Sequence, residues 1–450
     1  MKNFYLIVLL VFFFMVSSDP FPCFGEENDS NTSKKITLTI DECLRLARLN
    51  NLDIIKARED IKRTKGVIKE GYAAAFPKID ANGSYTRVDD DSIQEFEGLK
   101  FGSEEIYNAS FGLTQTLYAG GKVGAGISAA KLADSLSRTE LTIIERNVDF
   151  EVKQAFYLSL LARDLIEVQI EAVNLFNENL KNVEAKRQEG QVSDYEVLRA
   201  KVALSNIQPD LIKAKNNNRL ALDSLKQILN IPLDTDVEVK GNLGNEKTDF
   251  ALEKLVEIAL LNREEINAQK IAIKLREKNL ILAKSGKKPN VFLTANYAGQ
   301  TETFGNSEPT DLLWGWQAGV SVKMSLFDGF DTKGKVEQRI AELKQSEIEL
   351  EKLKKGIELE VRQAYFKFKE AAEVLESQMK NTEQAEESVR QSKILADLGQ
   401  ITQFDLRDAQ LELRTARTNL ERALYEYDVS IARLENAIAF DPYKVAKTQE

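Results

Sequence analysis

The sequence predicts a mainly α-helical chain that also carries a membrane β-component, built as two tandem structural repeats. Three observations carry that prediction. The chain matches itself at one offset of 209 residues, it contains two proline-free stretches of helical period too long for a globular core, and it has four short segments of period two.

The duplication is read from Val152-Lys153-Gln154-Ala155-Phe156-Tyr157, which reappears as Val361-Arg362-Gln363-Ala364-Tyr365-Phe366. At the same offset Gly190-Gln191-Val192-Ser193 returns as Gly399-Gln400-Ile401-Thr402, and Leu117-Tyr118-Ala119-Gly120 returns as Leu326-Phe327-Asp328-Gly329. One register held for over 80 residues marks two large halves and not a solenoid array. The expected organisation is a leader over 1–25, a first repeat over 26–240, a second over 241–440 and a short tail over 441–450.

Residues 78–208 and 310–441 lack proline, while Pro77, Pro232 and Pro289 stand where the periodicity changes. From Gly121 to about Glu189 apolar residues recur at three- and four-residue steps through Leu141, Ile144, Val148, Val152, Ala155 and Leu158. That predicts one helix over 121–189 on the order of 100 Å long, with a twin over 333–398. Gly190 and Gly399 then turn the chain, Ser193 and Thr402 are suited to cap new helices, and the returning helices span roughly 194–229 and 403–438. Pro209 predicts a kink in the first return only, since Thr418 takes its place in the second. A shorter helix opens each half, over 40–75 and 250–285.

After Pro77 the period becomes two. Ile79, Ala81, Gly83 and Tyr85 alternate with Asp80, Asn82, Ser84 and Thr86, which predicts a strand over 78–88. Tyr107, Ala109, Phe111 and Leu113 mark a second over 107–118, and further strands follow over 290–300 and 314–326, the last with Trp316, Ala318, Val320, Val322 and Met324 on its apolar face. Each is as long as a tilted strand that crosses a bilayer. Tyr85, Tyr107, Tyr297, Trp314 and Trp316 cluster on the loop side, with Phe76, Tyr118 and Phe327 on the helix side, as interfacial girdles do. The loops at 89–106 and 301–313 are polar. A soluble antiparallel sheet lying on the helices shares the alternation. However, a polar face carrying Asp80, Asn82, Thr114 and Lys323 needs a watery interior that four strands do not enclose. Closure requires other subunits: eight strands make a tight barrel, and the next simple ring is a trimer of twelve.

Composition narrows the function classes. The 450 residues carry 61 Lys+Arg against 71 Asp+Glu, a formal charge of −10, so nothing draws the chain to nucleic acid. Histidine is absent, which removes His-based catalysis and His-ligated zinc or haem; Cys23 and Cys43 make no metal spacing, and no cofactor is called for. Lys2 followed by the apolar run Phe4 to Val16 reads as a secretory signal peptide, cleaved after Gly25 or Ser18. No later segment is apolar enough for a membrane helix, so entry into a membrane must be by strands.

Together, the leader, the two halves, the strand-to-helix turns Leu117-Tyr118-Ala119-Gly120-Gly121 and Leu326-Phe327-Asp328-Gly329, and the glycine hairpins at Gly190 and Gly399 resemble the TolC family of outer-membrane efflux proteins over nearly all of 36–440. The resemblance implies a homotrimer without chemistry of its own. Its 12-stranded barrel in outer-membrane lipid would continue as a helical barrel into the periplasm, docked to a periplasmic adaptor and an inner-membrane transporter, for drug or metal efflux or for type I secretion. The hairpin tips, with Arg187, Gly190 and Ser193 on one and Gly399 and Thr402 on the other, would be the adaptor-docking surfaces.

The segment from Gly399 to Ala409 resembles the stretch that narrows the periplasmic end of the tunnel in that family, which assigns the constriction to Asp405 and Asp408. Their i, i+3 spacing puts both on one helix face. Around a trimer they would form a ring of six that favours cations and binds a multivalent one as a plug. The plain alternative is a solvated acidic face beside Arg407 and Arg414. The first half has Glu196 and Arg199 at these positions, so Arg199 or Arg407 would partly neutralise the ring. A rival reading of the whole chain is a periplasmic coiled-coil adaptor without a barrel. An enzyme ranks third, because no phosphate loop, nucleophile elbow or ligand cluster is present.

Overall fold

A computed structural model describes residues 36–89, 91, 93–96, 99–101, 104–244, 249–301 and 312–443. The leader over 1–25, the centre of the second loop and most of the tail lie outside the described residues. In chain order the elements are β1 (Ile36–Leu38), α1 (Ile40–Asn50), α2 (Leu52–Ala73), β2 (Lys78–Arg87), β3 (Gln94–Phe96), β4 (Leu99–Phe101), β5 (Glu105–Ala119), α3 (Lys122–Gln188) and α4 (Asp194–Leu229). Then follow β6 (Val237–Val239), α5 (Leu252–Asn262), α6 (Glu264–Lys284), β7 (Asn290–Thr301), β8 (Leu312–Lys323), α7 (Asp331–Asp397) and α8 (Gln403–Ile438).

The two long helices are present, each of 67 residues and so about 100 Å in length. Helix α3 is the centre of the protomer, packing against α2, α4, α6 and α8. Helix α7 packs against α5, α6 and α8. The core of the first repeat gathers Cys43, Ala47, Val152, Phe156, Leu160 and Leu225; that of the second gathers Leu255, Ile357, Phe368, Tyr427 and Leu434. Burial of Cys43 pushes its thiol up to about 12, so it packs as a small hydrophobe.

Two expectations are corrected. The opening helix of each half is two helices, parted at Asn51 and at the equivalent Arg263, where the backbone is extended (φ −61° and −64°). Asn51 leaves the helix because its side chain accepts from the Asp53 and Ile54 amides and donates to the Ile228 carbonyl at 2.9 Å. Arg263 leaves it to reach both oxygens of Glu360 (2.9 and 3.1 Å) and the Ala437 carbonyl at 3.0 Å, near the end of α8. The last strand stops at Lys323 and not 326, since Lys323 pairs with Asn290 and Pro289 ends the partner strand. The short parallel pair β1 and β6 and the hairpin β3–β4 were not expected. Helix α4 carries Pro209 in its interior and runs on to Leu229.

Candidate functional site

Strands β2, β5, β7 and β8 form one antiparallel sheet in that order. Its register puts like residues on like faces. Tyr85 faces Tyr107, Ile79 faces Leu113, Phe111 faces Tyr297, and Tyr297 faces Trp316; Leu293 with Val320 and Val291 with Val322 continue the same side. The other side pairs Asp80 with Gly112, Asn82 with Ser110, Thr114 with Thr294 and Asn296 with Gln317. One face is therefore apolar and one polar, as the alternation predicts. Among the described residues nothing covers the apolar face: Trp316 is 80% exposed, Ile79 72% and Val322 66%. A soluble sheet lying on its helices would bury that face. Among the described residues the outer edges of β2 and β8 are also unpaired. Among the described residues no helix is long and apolar enough to cross a membrane.

Aromatic rings stand at both ends of the sheet. Tyr297 stacks on Trp314 at 5.0 Å and Tyr85 packs on Tyr107 at 5.0 Å on the loop side. Exposed Phe76, Tyr118, Phe327 and Phe330 ring the helix side. There the strand-to-helix turns use left-handed backbone at Gly120 and Gly121 (φ 62° and 90°), and at Gly329 and Phe330 (φ 64° and 70°).

At the far end, Gly190 (φ 75°) and Gly399 (φ 70°) end the long helices as expected. The Gln191 amide donates to the Lys186 carbonyl and the Gln400 amide to the Leu395 carbonyl, both at 2.9 Å, in the usual left-handed cap. The two tips then differ. The first is tied by Arg187, which donates to both oxygens of Asp194 at 2.6 and 3.0 Å and holds that carboxyl below its ordinary range. The second presents the apolar Leu398, 67% exposed, in place of Glu189.

The caps differ too. Thr402 caps α8 as predicted, in a reciprocal box with Asp405: the Thr402 amide and hydroxyl donate to the Asp405 carboxylate at 2.8 and 2.7 Å, and the Asp405 amide donates to the Thr402 hydroxyl at 3.2 Å. These bonds lower the Asp405 pKa. Ser193 is a correction. It occupies the cap position of α4, but its hydroxyl makes no capping bond, and Glu196, the residue that would complete a box, pairs with Arg199 at 3.4 Å.

Asp405 and Asp408 are both exposed on the first turns of α8, and neither forms an ion pair among the described residues. Their neighbours were only partly legible. The Arg199 guanidinium lies 5.6 Å from the Tyr195 ring and 5.7 Å from the Phe404 ring, and that of Arg407 lies 4.8 Å from Phe404. The starts of α4 and α8 are thus joined by a cation–aromatic stack. Farther along, Arg414 reaches Asp210 of α4 at 2.7 Å, and Arg417 pairs with Glu171 of α3 and with Glu386 of α7 at 2.9 Å. Single-chain reading named Arg407 and Arg414 as nearby charge, but it had no signal for their partners on α3, α4 and α7.

With this geometry in view, the comparison with known families is decisive: the model of the outer membrane efflux protein family matches residues 43–230 and 255–439, one match per repeat. The chain belongs to that family. It is 21% identical to the outer membrane protein TolC of Vibrio cholerae over 383 residues, which covers 82% of this chain and 84% of the relative. The fold is similar to that of the Campylobacter jejuni CmeC outer membrane channel, with a TM-score of 0.77, 17% identity and 96% of each chain covered. It also resembles the Neisseria gonorrhoeae MtrE outer membrane channel, described in its open state, with a TM-score of 0.72, 16% identity and coverage of 92% and 94%. The chain is accordingly an outer-membrane protein of an efflux family, and this is not an enzyme family.

Proposed function

We propose that the protein is the passive outer-membrane duct of an export assembly. Three copies join their four-stranded sheets edge to edge as a barrel of twelve strands in the outer-membrane lipid, and the long helices continue the duct through the periplasm. A periplasmic adaptor docks on the hairpin tips around Arg187, Gly190, Ser193, Gly399 and Thr402 and couples the duct to an inner-membrane transporter. Asp405 and Asp408 stand at its periplasmic constriction, and Gly120, Gly121 and Gly329 shape the passage from barrel to helices. The observation that carries this reading is a sheet with an apolar face that leaves Trp316, Ile79 and Val322 exposed, a polar face, and two edges unpaired among the described residues. Each of those features is satisfied when the sheet closes with copies of itself in lipid. The same observation disfavours a periplasmic adaptor without a barrel, which has no use for Trp316 and Val322 in water.

The test is the mass and planar-bilayer conductance of detergent-extracted mature protein. A trimer with steady conductance is expected. A monomer that extracts without detergent and conducts nothing would overturn the proposal.

A further inference from the structure

The constriction carries a feature that an acidic ring does not explain. In each protomer the mouth holds Glu196, Asp405 and Asp408, and on the same turns Arg199 and Arg407. The carboxylates are not equally available. Asp405 is occupied by its own helix cap, at 2.7 to 2.8 Å from the Thr402 hydroxyl and amide, and Glu196 faces Arg199 at 3.4 Å. Only Asp408 is uncommitted among the described residues.

Arg407 is held in place without being neutralised, while Arg199 keeps its ion pair with Glu196. Arg407 lies 4.8 Å from the Phe404 ring, its Nε is buried with no hydrogen-bond partner among the described residues, and no carboxylate pairs with it there. Stacking on an aromatic face positions a guanidinium while leaving its charge and outer N–H donors free. Arg199 is shared between the Tyr195 and Phe404 rings. Side chains one to three residues apart on adjoining helix starts lie within about 10 Å, one Debye length at ordinary salt, so these cations act on the same ions as Asp408.

We infer that Arg199 and Arg407, clamped by Phe404 and Tyr195, are specificity-determining residues that turn the constriction into a mixed-charge ring, one that passes anions as readily as cations and does not hold a multivalent cation. This inference rests on the proposed duct and deepens it. It departs from the plugged acidic ring expected from the sequence: three carboxylates stand against two guanidiniums in each copy, leaving one net negative charge where the acidic ring counted two.

The experiment is reversal potential in a potassium chloride gradient, with lanthanum as the multivalent probe, on trimers of full mature chain checked by mass. The parent duct is expected to show a cation-to-anion permeability ratio within about threefold of unity, and no lanthanum block. Arg407→Gln and Arg199→Gln should each raise that ratio at least about threefold and make lanthanum block appear, because a narrow mouth concentrates counter-ions. Phe404→Leu keeps every charge and removes the clamp, and should shift the ratio the same way by less. Asp408→Asn provides a second line if the arginine variants do not assemble: it balances the ring at two against two and should bring the permeability ratio to unity or below, whereas an acidic ring would stay clearly cation-selective. A parent duct already strongly cation-selective and blocked by lanthanum, with arginine variants unchanged, overturns the inference and leaves the duct intact. Absence of conductance in every protein overturns the duct, and the inference with it.

Discussion

The duplicated turns between sheet and helix allow one substitution to be made twice, each site serving as the other's control. Gly120 and Gly329 have nearly the same left-handed backbone, φ 62° and 64°. Replacing either by Ala costs about 1–2 kcal/mol for placing a Cβ in that region, partly offset by a stiffer unfolded chain. At Gly329 the added Cβ meets nothing within 4 Å, so the backbone term is the whole cost. At Gly120 it would stand 2.6 Å from the Lys288 Cβ and 3.1 Å from the Ser285 carbonyl oxygen, against a carbon–carbon optimum of about 3.5–4.0 Å. Neither neighbour yields readily, since Lys288 precedes Pro289, whose ring fixes the entry into β7. Overpacking adds about 1–3 kcal/mol, so Gly120→Ala is expected to cost about 2–5 kcal/mol in all. Thermal midpoints in one detergent at one scan rate, followed by circular dichroism, compare the two. Equal shifts, or a larger one for Gly329→Ala, would refute the packing argument.

Two further outcomes are expected. Val320→Lys puts a charge on the exposed apolar face of β8 and should cost about 2–4 kcal/mol in lipid, while Ser321→Lys on the polar face should cost little and alter ion selectivity; folding yields in vesicles measure both, and equal losses would mean the faces are misassigned. The lowered pKa of Asp405 means that its cap contributes fully above the unfolded carboxylate range near pH 4 and is lost as pH falls through the lower folded value. Hydrogen exchange at the first amides of α8 should show that loss in the parent and none in Asp405→Asn, and an identical acid profile in both would remove the carboxylate from the cap.

The elements legible in the sequence are those whose signals are local. The long helices stop at the glycine hairpins and α8 starts at its Thr402 cap, because a helix start and a left-handed stop are decided within a few residues. What was missed depends on distant contacts. Asn51 and Arg263 break their helices to reach Ile228 and Ala437, more than 170 positions away. The three-residue strands β1 and β6 are too short to show a period, and each exists only through the other. The stack of Arg199 and Arg407 on Phe404 requires α4 and α8 to lie side by side, which no local pattern encodes. The box between Thr402 and Asp405 is different: its spacing is local and visible in the sequence, and the same carboxylate serves the cap as well as the proposed constriction.

The halves have diverged according to where each lies in the protomer. Helix α3 has neighbours on both flanks, and it buries Val148, Val152, Phe156, Leu160 and Phe176 against them. Helix α7 buries Ile357, Val361, Ala364 and Phe368 on one side, yet Ile340, Ile348, Leu359, Phe366 and Val374 recur near whole helical turns and stay exposed. Helix α4, at the opposite flank, likewise exposes Tyr195, Leu198, Val202, Ile212 and Leu220. Apolar stripes of that length are costly in water and have no partner among the described residues. They lie on the flanks that continue from the open edges β8 and β2, so the ring that closes the sheet also covers the stripes. The proposed trimer therefore answers two independent deficits with one contact, and a duct of this shape requires both to be met: strands that close in lipid and helices that seal against water along the whole periplasmic length.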